Sequence, residues 1–561
     1  MRMSTIGVLL LVSVLAGCSL PSSGAVHVVD IAGQTSEPIG LTAQPPRQDA
    51  TPEQIVQDFL VAQRAGFDDE FSVARQYLSS KAAADWDPAA QTRVYPNDQA
   101  FSTSLQPDGG VRVTVGSAGS VDKNGVFSES APDTVMTSDF SLARDADHQW
   151  RIVALDDGIF LSVHLFETLY VRTPLYFLNA DKSALVGDVR WYPTNSAATF
   201  AVRGLLEGAS DWLAGAVHTA IPAGTTLQNS VSVQDGEALV NLSSDVLSAS
   251  ADDQRLLHAQ IAQTLSAVAN IESVEVRASN STLPADDIPD LPTYPYGTYS
   301  LAVLAHGVPA TVRQSVVSAA LPGSSTSAIA KLSLESLAVS YDGNNPVFAA
   351  LNDAQTQLYT MSASSPQPRS VLTSDEVIAP SFDQWGFIYS GRTINDGVVS
   401  AISRSGSVVP LKVPWLKGAT VLGVRVSRDG SRLAVSYTAD GTNTFALAGI
   451  QRDDQQNPTA ISDPFTIANS LTSVKDFAWA GEDSLVVLGS SGASGRESLF
   501  MVRQGAPTEE LMQPFTGTIG LTAGRGRDSL TLITAENTAY ALQGSGFRLL
   551  ATDVTSVAYP G

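Results

Sequence analysis

The sequence predicts a multidomain chain in which two small α+β domains precede an all-β propeller of five or six blades. Three observations carry that reading. Twice between residues 51 and 278, apolar residues at helical spacing give way to period-two alternation. A stretch holding Pro284, Pro289, Pro292 and Pro295 with three aspartates then breaks both periods. Beyond it, turn-and-strand units recur at intervals of 41 to 54 residues, which suits one four-stranded blade each.

The divisions that follow are 1–17 signal peptide, 18–50 tether, 51–168 first α+β domain, 169–278 second α+β domain, 279–299 linker and 300–561 propeller. Arg2 supplies a positive start, and Ile6 to Ala16 form an apolar core of 11 residues. As helix that core reaches about 17 Å, short of the ~30 Å of hydrocarbon that a spanning helix crosses. Small residues then lead into Cys18, the single cysteine of the chain, as a cleavage site requires. The segment Leu15-Ala16-Gly17-Cys18 resembles a lipobox, which implies that the Cys18 thiol receives diacylglycerol and becomes the mature N-terminus. Residues 19 to 50 sustain no period and read as a flexible coil spanning roughly 30 Å.

Thr51-Pro52-Glu53-Gln54 predicts a helix start, with Thr51 as N-cap and Gln54 completing a capping box. Ile55, Val56, Phe59, Leu60 and Ala62 form its apolar face, and Phe71, Ala74, Tyr77 and Leu78 mark a second helical stretch. Alternation at Val111–Val115, at Phe140 and Leu142, and at Trp150 and Ile152 predicts antiparallel strands. The order is similar to that of NTF2-like or cystatin-like folds. In the second domain, strands are predicted at Tyr176–Leu178, at Leu185–Val186 and at Val189–Tyr192. A helix follows, ending at Gly208, and then a hairpin around Asp235-Gly236. A second helix carries Leu257, Ile261, Leu265 and Val268, and the last strand holds Val274 and Val276.

Leu205-Leu206-Glu207-Gly208, Ile221-Pro222-x-Gly224-Thr225, Val240-Asn241-Leu242, Gln263-Thr264-Leu265 and Ile271-x-x-Val274-x-Val276 together resemble the GerMN domain. That domain usually shows Gly-Pro after its first helix, where this chain has Gly208-Ala209. In the propeller, the repeated turns are Asp342-Gly343, Phe382-Asp383, Asp429-Gly430, Glu482-Asp483 and Arg527-Asp528. The last strand, Val554 to Tyr559, has no blade left to begin and is available to complete the first. A pair of β-sandwiches is the alternative architecture.

Across its whole length the chain resembles the LpqB family of actinobacterial lipoproteins. The resemblance rests on Gly17-Cys18, Pro21-Ser22-Ser23-Gly24, Pro52-Glu53-x-Ile55-Val56-x-x-Phe59-Leu60, the domain order, and Ala558-Tyr559-Pro560-Gly561. It implies an accessory role at the outer face of the cytoplasmic membrane. There the family is associated with the MtrAB two-component system through the extracellular domain of the sensor histidine kinase MtrB, with cell-wall homeostasis and division downstream.

Composition narrows the function classes. With 33 basic and 56 acidic residues the formal charge is −23, which argues against nucleic acid and against electrostatic adhesion to anionic lipid. Membrane attachment then falls to the acyl chains on Cys18. The six histidines (His27, His148, His164, His218, His258 and His306) show no metal-ligand spacing. No Gly-x-Ser-x-Gly elbow occurs, and Gly524-Arg525-Gly526-Arg527-Asp528 lacks the Lys-Ser/Thr of a phosphate loop. Asp156-Asp157 reads as solvated, and Asp252-Asp253 as part of a helix start. The chain therefore reads as a non-enzyme without cofactor or metal, with Cys18 as its one assigned site. A cell-wall glycan or peptide is the alternative ligand, for which Trp385 and Trp479 are the aromatic candidates, although buried blade packing is the favoured reading of both. A hydrolase or lactonase propeller is the third reading, discouraged by the few histidines.

Overall fold

The computed structural model describes residues 43–67, 69–295, 300–393, 398–492 and 495–561. Cys18, His27 and most of the tether lie outside the described residues. The end of the stretch assigned to the tether runs along the first domain, where Tyr77 donates its hydroxyl to the Gln44 carbonyl at 2.7 Å and Arg47 pairs with Asp58.

The first domain begins with helix Pro52–Ala62, capped as its sequence requires. Thr51 Oγ1 accepts from the Gln54 N–H, and the Gln54 side chain accepts from the Thr51 N–H. Its apolar face packs with Trp86, Val111, Phe140 and Ile152 in one core. The second helical stretch shrinks to Ser72–Arg75, because Leu78 bridges to Ile152 and draws the chain into extended form. Two four-stranded sheets follow, and in one of them Gln91–Tyr95 runs parallel to Ile159–Ser162.

The second domain opens on an antiparallel hairpin, Tyr170–Leu178 with Leu185–Pro193. Its second strand is continuous, where the sequence divides it at Gly187-Asp188. Asp188 behaves as a strand residue because Arg190 pairs with it at 2.8 Å and Ser210 donates to it, so the carboxylate is satisfied while buried. Helices Ala197–Glu207 and Ala251–Leu265 pack on this hairpin. Buried Gln260 ties the layers together, accepting from the Ala220 N–H at 2.7 Å and donating to the Tyr176 carbonyl at 2.9 Å. The Asp235-Gly236 turn joins Ser232–Gln234 to Glu237–Leu242, both turn residues having positive φ as a type I′ turn demands. Glu237–Leu242 then lies parallel to Ser273–Ala278, with Ala251–Leu265 as the crossover.

Residues 301–558 form a closed propeller with six blades among the described residues. From the inside outward, blade two is Leu334–Val339, Val347–Asn352, Gln357–Ser362 and Arg369–Thr373. Blades three to six begin at the axis with Ser381–Phe382, Thr420–Val426, Leu471–Trp479 and Thr518–Thr522. Blade one is assembled from both ends of the domain. Val554–Ala558 is its inner strand, and Leu301–Ala305, Val308–Arg313 and Val316–Ala319 are the outer three. The last strand thus completes the first blade, and the ring closes with Val303 and Val557 paired in the buried seam.

The second domain docks on the propeller end where the inner strands finish. Arg172 meets Asp483 at 2.5 Å and the Gln504 carbonyl at 2.7 Å, and the Tyr176 hydroxyl donates to Glu482. Trp191 Nε1 donates to the Gly505 carbonyl, and Trp212 stacks on Phe465. The first domain adds Glu129, whose two carboxylate oxygens accept from the N–H and hydroxyl of Thr508. Beneath this interface lie ion pairs cut off from water: Arg432 with Asp429 at 2.6 Å, and Arg452 with Asp383 at 2.7 Å. Burial pushes the Asp383 carboxyl up, and the Arg452 guanidinium opposes that shift.

Removing one partner of such a pair leaves a desolvated charge. Asp429→Ala is therefore expected to cost about 3–5 kcal/mol, read as a lowered urea midpoint. A second expectation concerns His258, which is 6 % exposed on helix Ala251–Leu265 with no partner for Nδ1. Burial depresses its pKa below 6.5, against the backbone hydrogen bonds that raise it. A depressed histidine contributes stability above its unfolded pKa and loses it as pH falls through the folded value. The melting temperature should fall on acidification from about pH 7, and His258→Gln should flatten that slope.

Candidate functional site

The propeller axis presents two unlike ends. At the lower end, where the inner strands finish, Tyr341, Arg428, Trp479, Tyr559 and Pro560 line a cavity of only about 60 Å³. Tyr294, from the Pro-rich linker, crosses this end. Its hydroxyl donates to the Gly524 carbonyl at 2.6 Å, and Arg428 and Arg525 lie over its ring at 4.9 and 5.6 Å. At the upper end, where the inner strands begin, a funnel of about 520 Å³ opens to solvent. That volume falls in the range of small-ligand sites.

The funnel wall is built by a repeated irregularity. In blades one, two, four, five and six the inner strand carries a β-bulge near its start. The additional residues are Thr555, the Ser336-Leu337 pair set against Ala350, Leu422, Ile519 and, in blade five, which has two such shifts, Thr472 and Lys475. Blade three instead begins with a two-residue strand after Pro380. A bulge turns an additional side chain out of the ladder, so five blades direct such residues to one rim. Leu422 and Ile519 are 47 % and 45 % exposed, in a chain that buries most of its aliphatic side chains.

Charges at the rim divide into structural and accessible groups. Asp476 Oδ1 accepts from Arg425 Nη2 at 3.0 Å and from the Phe477 N–H, while Oδ2 accepts from the Leu521 N–H of the next blade at 2.8 Å. That carboxylate is spent on architecture. Arg425 lines both the funnel and the lower cavity and so stands at the constriction between them. Lys475 is exposed, its ammonium donating to Glu497 at 3.0 Å and to the Thr518 carbonyl at 2.9 Å. Gln355, Thr393 and Asn537 add amide and hydroxyl groups, and Thr555 Oγ1 is buried without a partner.

The residues weighed in the sequence fall elsewhere. His148 sits exposed at a hairpin turn, and His164, His218 and His306 are exposed at separate places. Among the described residues, no group of three or more His, Cys, Asp or Glu is placed to hold a metal ion. Asp156 accepts from Ser138 and Asp157 from the Asp87 N–H. Ser250, not Asp252, caps its helix, and Asp253 accepts from Ser250 and Lys182. The tryptophan platform for a glycan is not formed. Trp479 is buried and donates to the Arg425 carbonyl, and Trp385 lies beneath the Arg452 guanidinium at 4.0 Å. Sequence reasoning missed the funnel, although Leu422-Gly423 and Ile519-Gly520 carry its signal. A glycine inside an alternating strand marks a bulge, and a Cβ at Gly520 would stand 3.0 Å from Asp476 Oδ2.

Comparison with known proteins covers most of the chain. Residues 45–167 match the family model for the N-terminal domain of lipoprotein LpqB, and residues 314–546 match that for the LpqB β-propeller domain. Between them, residues 174–283 match the model described as sporulation and spore germination. Lipoprotein LpqB of Bifidobacterium longum is 25 % identical over 520 residues, covering 87 % of this chain and 84 % of the relative. That of Streptomyces avermitilis is 25 % identical over 595 residues, covering 98 % and 96 %. That of Cutibacterium acnes is 32 % identical over 273 residues, covering 48 % and 45 %. With three domain models in order and relatives alignable along nearly the whole length, the chain belongs to the LpqB family.

Proposed function

We infer that this chain is a lipid-anchored accessory protein outside the cytoplasmic membrane, which binds a sensor histidine kinase ectodomain of MtrB type and thereby influences cell-wall homeostasis and division. The observation that carries the reading is the funnel, a solvent-open mouth of paired charges and exposed aliphatic side chains on a body whose other propeller end is occupied by its own domains. Family membership and the Leu15-Ala16-Gly17-Cys18 segment support the anchoring half. Among the described residues no helix is long and apolar enough to cross a membrane, so attachment through acylated Cys18 is the economical route. Two acyl chains suffice, at ~0.8 kcal/mol per buried CH₂. The kinase half follows the family resemblance. To regulate, the protein must bind one kinase state more tightly than another, since equal affinity shifts no equilibrium.

Two outcomes are expected. Cys18→Ser should move the protein from the membrane fraction to the soluble fraction, read by immunoblot of fractionated cells, and retention in the membrane fraction would remove the anchor. The full chain in detergent should bind the purified kinase ectodomain saturably in calorimetry. No heat at high micromolar concentration would sink the partner assignment.

A further inference from the structure

We propose that the funnel takes an extended peptide segment of the partner in which an acidic side chain lies beside aliphatic ones. This rests on the reading above and names the part of the molecule that does the binding. The argument starts from the three adjacent blades four, five and six, whose bulges present Leu422, Lys475 and Ile519 in turn. One cation therefore stands between two half-exposed aliphatic side chains. A carboxylate flanked by apolar groups is the complement of that triad.

Lys475 is free to change partner. Its side chain is 40 % exposed and that of Glu497 is 46 % exposed, and ion pairs this open contribute about 0–1 kcal/mol. A ligand carboxylate can join or displace Glu497 at little cost. Arg425, by contrast, is neutralised by Asp476 and held by the Val424 carbonyl, so Lys475 is the cation that a ligand carboxylate can reach, with exposed Glu335 on the blade-two side of the same funnel. The neutral groups fit a peptide main chain. Gln355 and Asn537 lie at the rim with exposed amide side chains, while Thr393 and the unpartnered Thr555 hydroxyl lie deeper. Amides and hydroxyls can serve backbone N–H and C=O groups alike. An aromatic platform for sugar rings is lacking, since Trp479 is buried and Phe477 lies under Arg425.

The test sets the full chain in detergent against three probes: the purified kinase ectodomain, a random twelve-residue phage library, and an N-acetylglucosamine tetramer. Selected clones are expected to share an acidic residue next to aliphatic ones. Leu422→Asn with Ile519→Asn should weaken both clones and ectodomain at least tenfold, and Lys475→Gln should abolish the preference for acidic over amide versions of a clone. The side chains changed are all at least 40 % exposed, and an unchanged melting temperature certifies the fold. An empty selection, clones indifferent to these substitutions, or binding of the sugar alone overturns the proposal. Ectodomain binding that survives the substitutions overturns it while leaving the partner assignment standing. Clones without ectodomain binding sink the partner assignment and leave the peptide site.

Discussion

A ring of β-sheets has to be held shut, and here that duty falls on one strand. Each blade packs its faces against its neighbours, so an open stack would expose two apolar faces and an unpaired inner edge. Val554–Ala558 removes that hazard by pairing with Leu301–Ala305 as the inner strand of blade one. The seam is then stitched from the next blade, where the Leu337 N–H donates to the Ser556 hydroxyl at 3.0 Å. Everything at the axis depends on this closure, because the funnel and the lower cavity both draw residues from Val557 and its neighbours.

Closure of the ring leaves two ends, and the chain uses its own domains to dispose of one. Arg172, Tyr176 and Trp191 reach the turns of blade five from the second domain, and Glu129 reaches Thr508 of the same blade from the first. The adjoining turns of blades three and four hold Arg452–Asp383 and Arg432–Asp429, and Arg432 also donates to the Glu482 carbonyl of blade five. Buried pairs of this kind add little net stability, because desolvation offsets their attraction. They do hold the turn geometry that receives the second domain. The consequence is directional: the end where the inner strands begin is the one left open to solvent.

Local chemistry was legible in the sequence and long-range pairing was not. The capped helix at Thr51 and the turn at Asp235-Gly236 are written in four residues and two, and both form as read. The five recurring turns are the links between inner and second strands of blades two to six. Blade one has no such turn, since its inner strand comes from the other end of the domain, and that is why the count stayed open between five and six. The break read at Gly187-Asp188 failed for a related reason: only the fold brings Ser210 to the Asp188 carboxylate. In the candidate site, the bulges could be sensed at Leu422-Gly423 and Ile519-Gly520. Nothing local distinguishes Lys475 from any exposed strand lysine, and its place between two aliphatic residues exists only once three blades stand side by side.

The same irregularity that arms the rim is also what the blades interlock through. A bulge frees backbone groups from the ladder, and unpaired groups near the axis would be costly if left alone. Asp476 meets that need from the neighbouring strand, accepting the Leu521 N–H just past the bulge of blade six and its own Phe477 N–H. Gly520 makes room for it, since a Cβ there would crowd the carboxylate, and Gly423 does the same for the Phe477 ring at 3.1 Å. In blades four to six the structural work around the bulges is thus done by Asp476, Arg425, Gly423 and Gly520. The residues turned outward, Leu422, Lys475 and Ile519, carry little of that load, Lys475 contributing one hydrogen bond to the Thr518 carbonyl. A surface whose exposed residues are largely uncoupled from the stability of their scaffold can have its binding preference changed while the propeller beneath it stays intact.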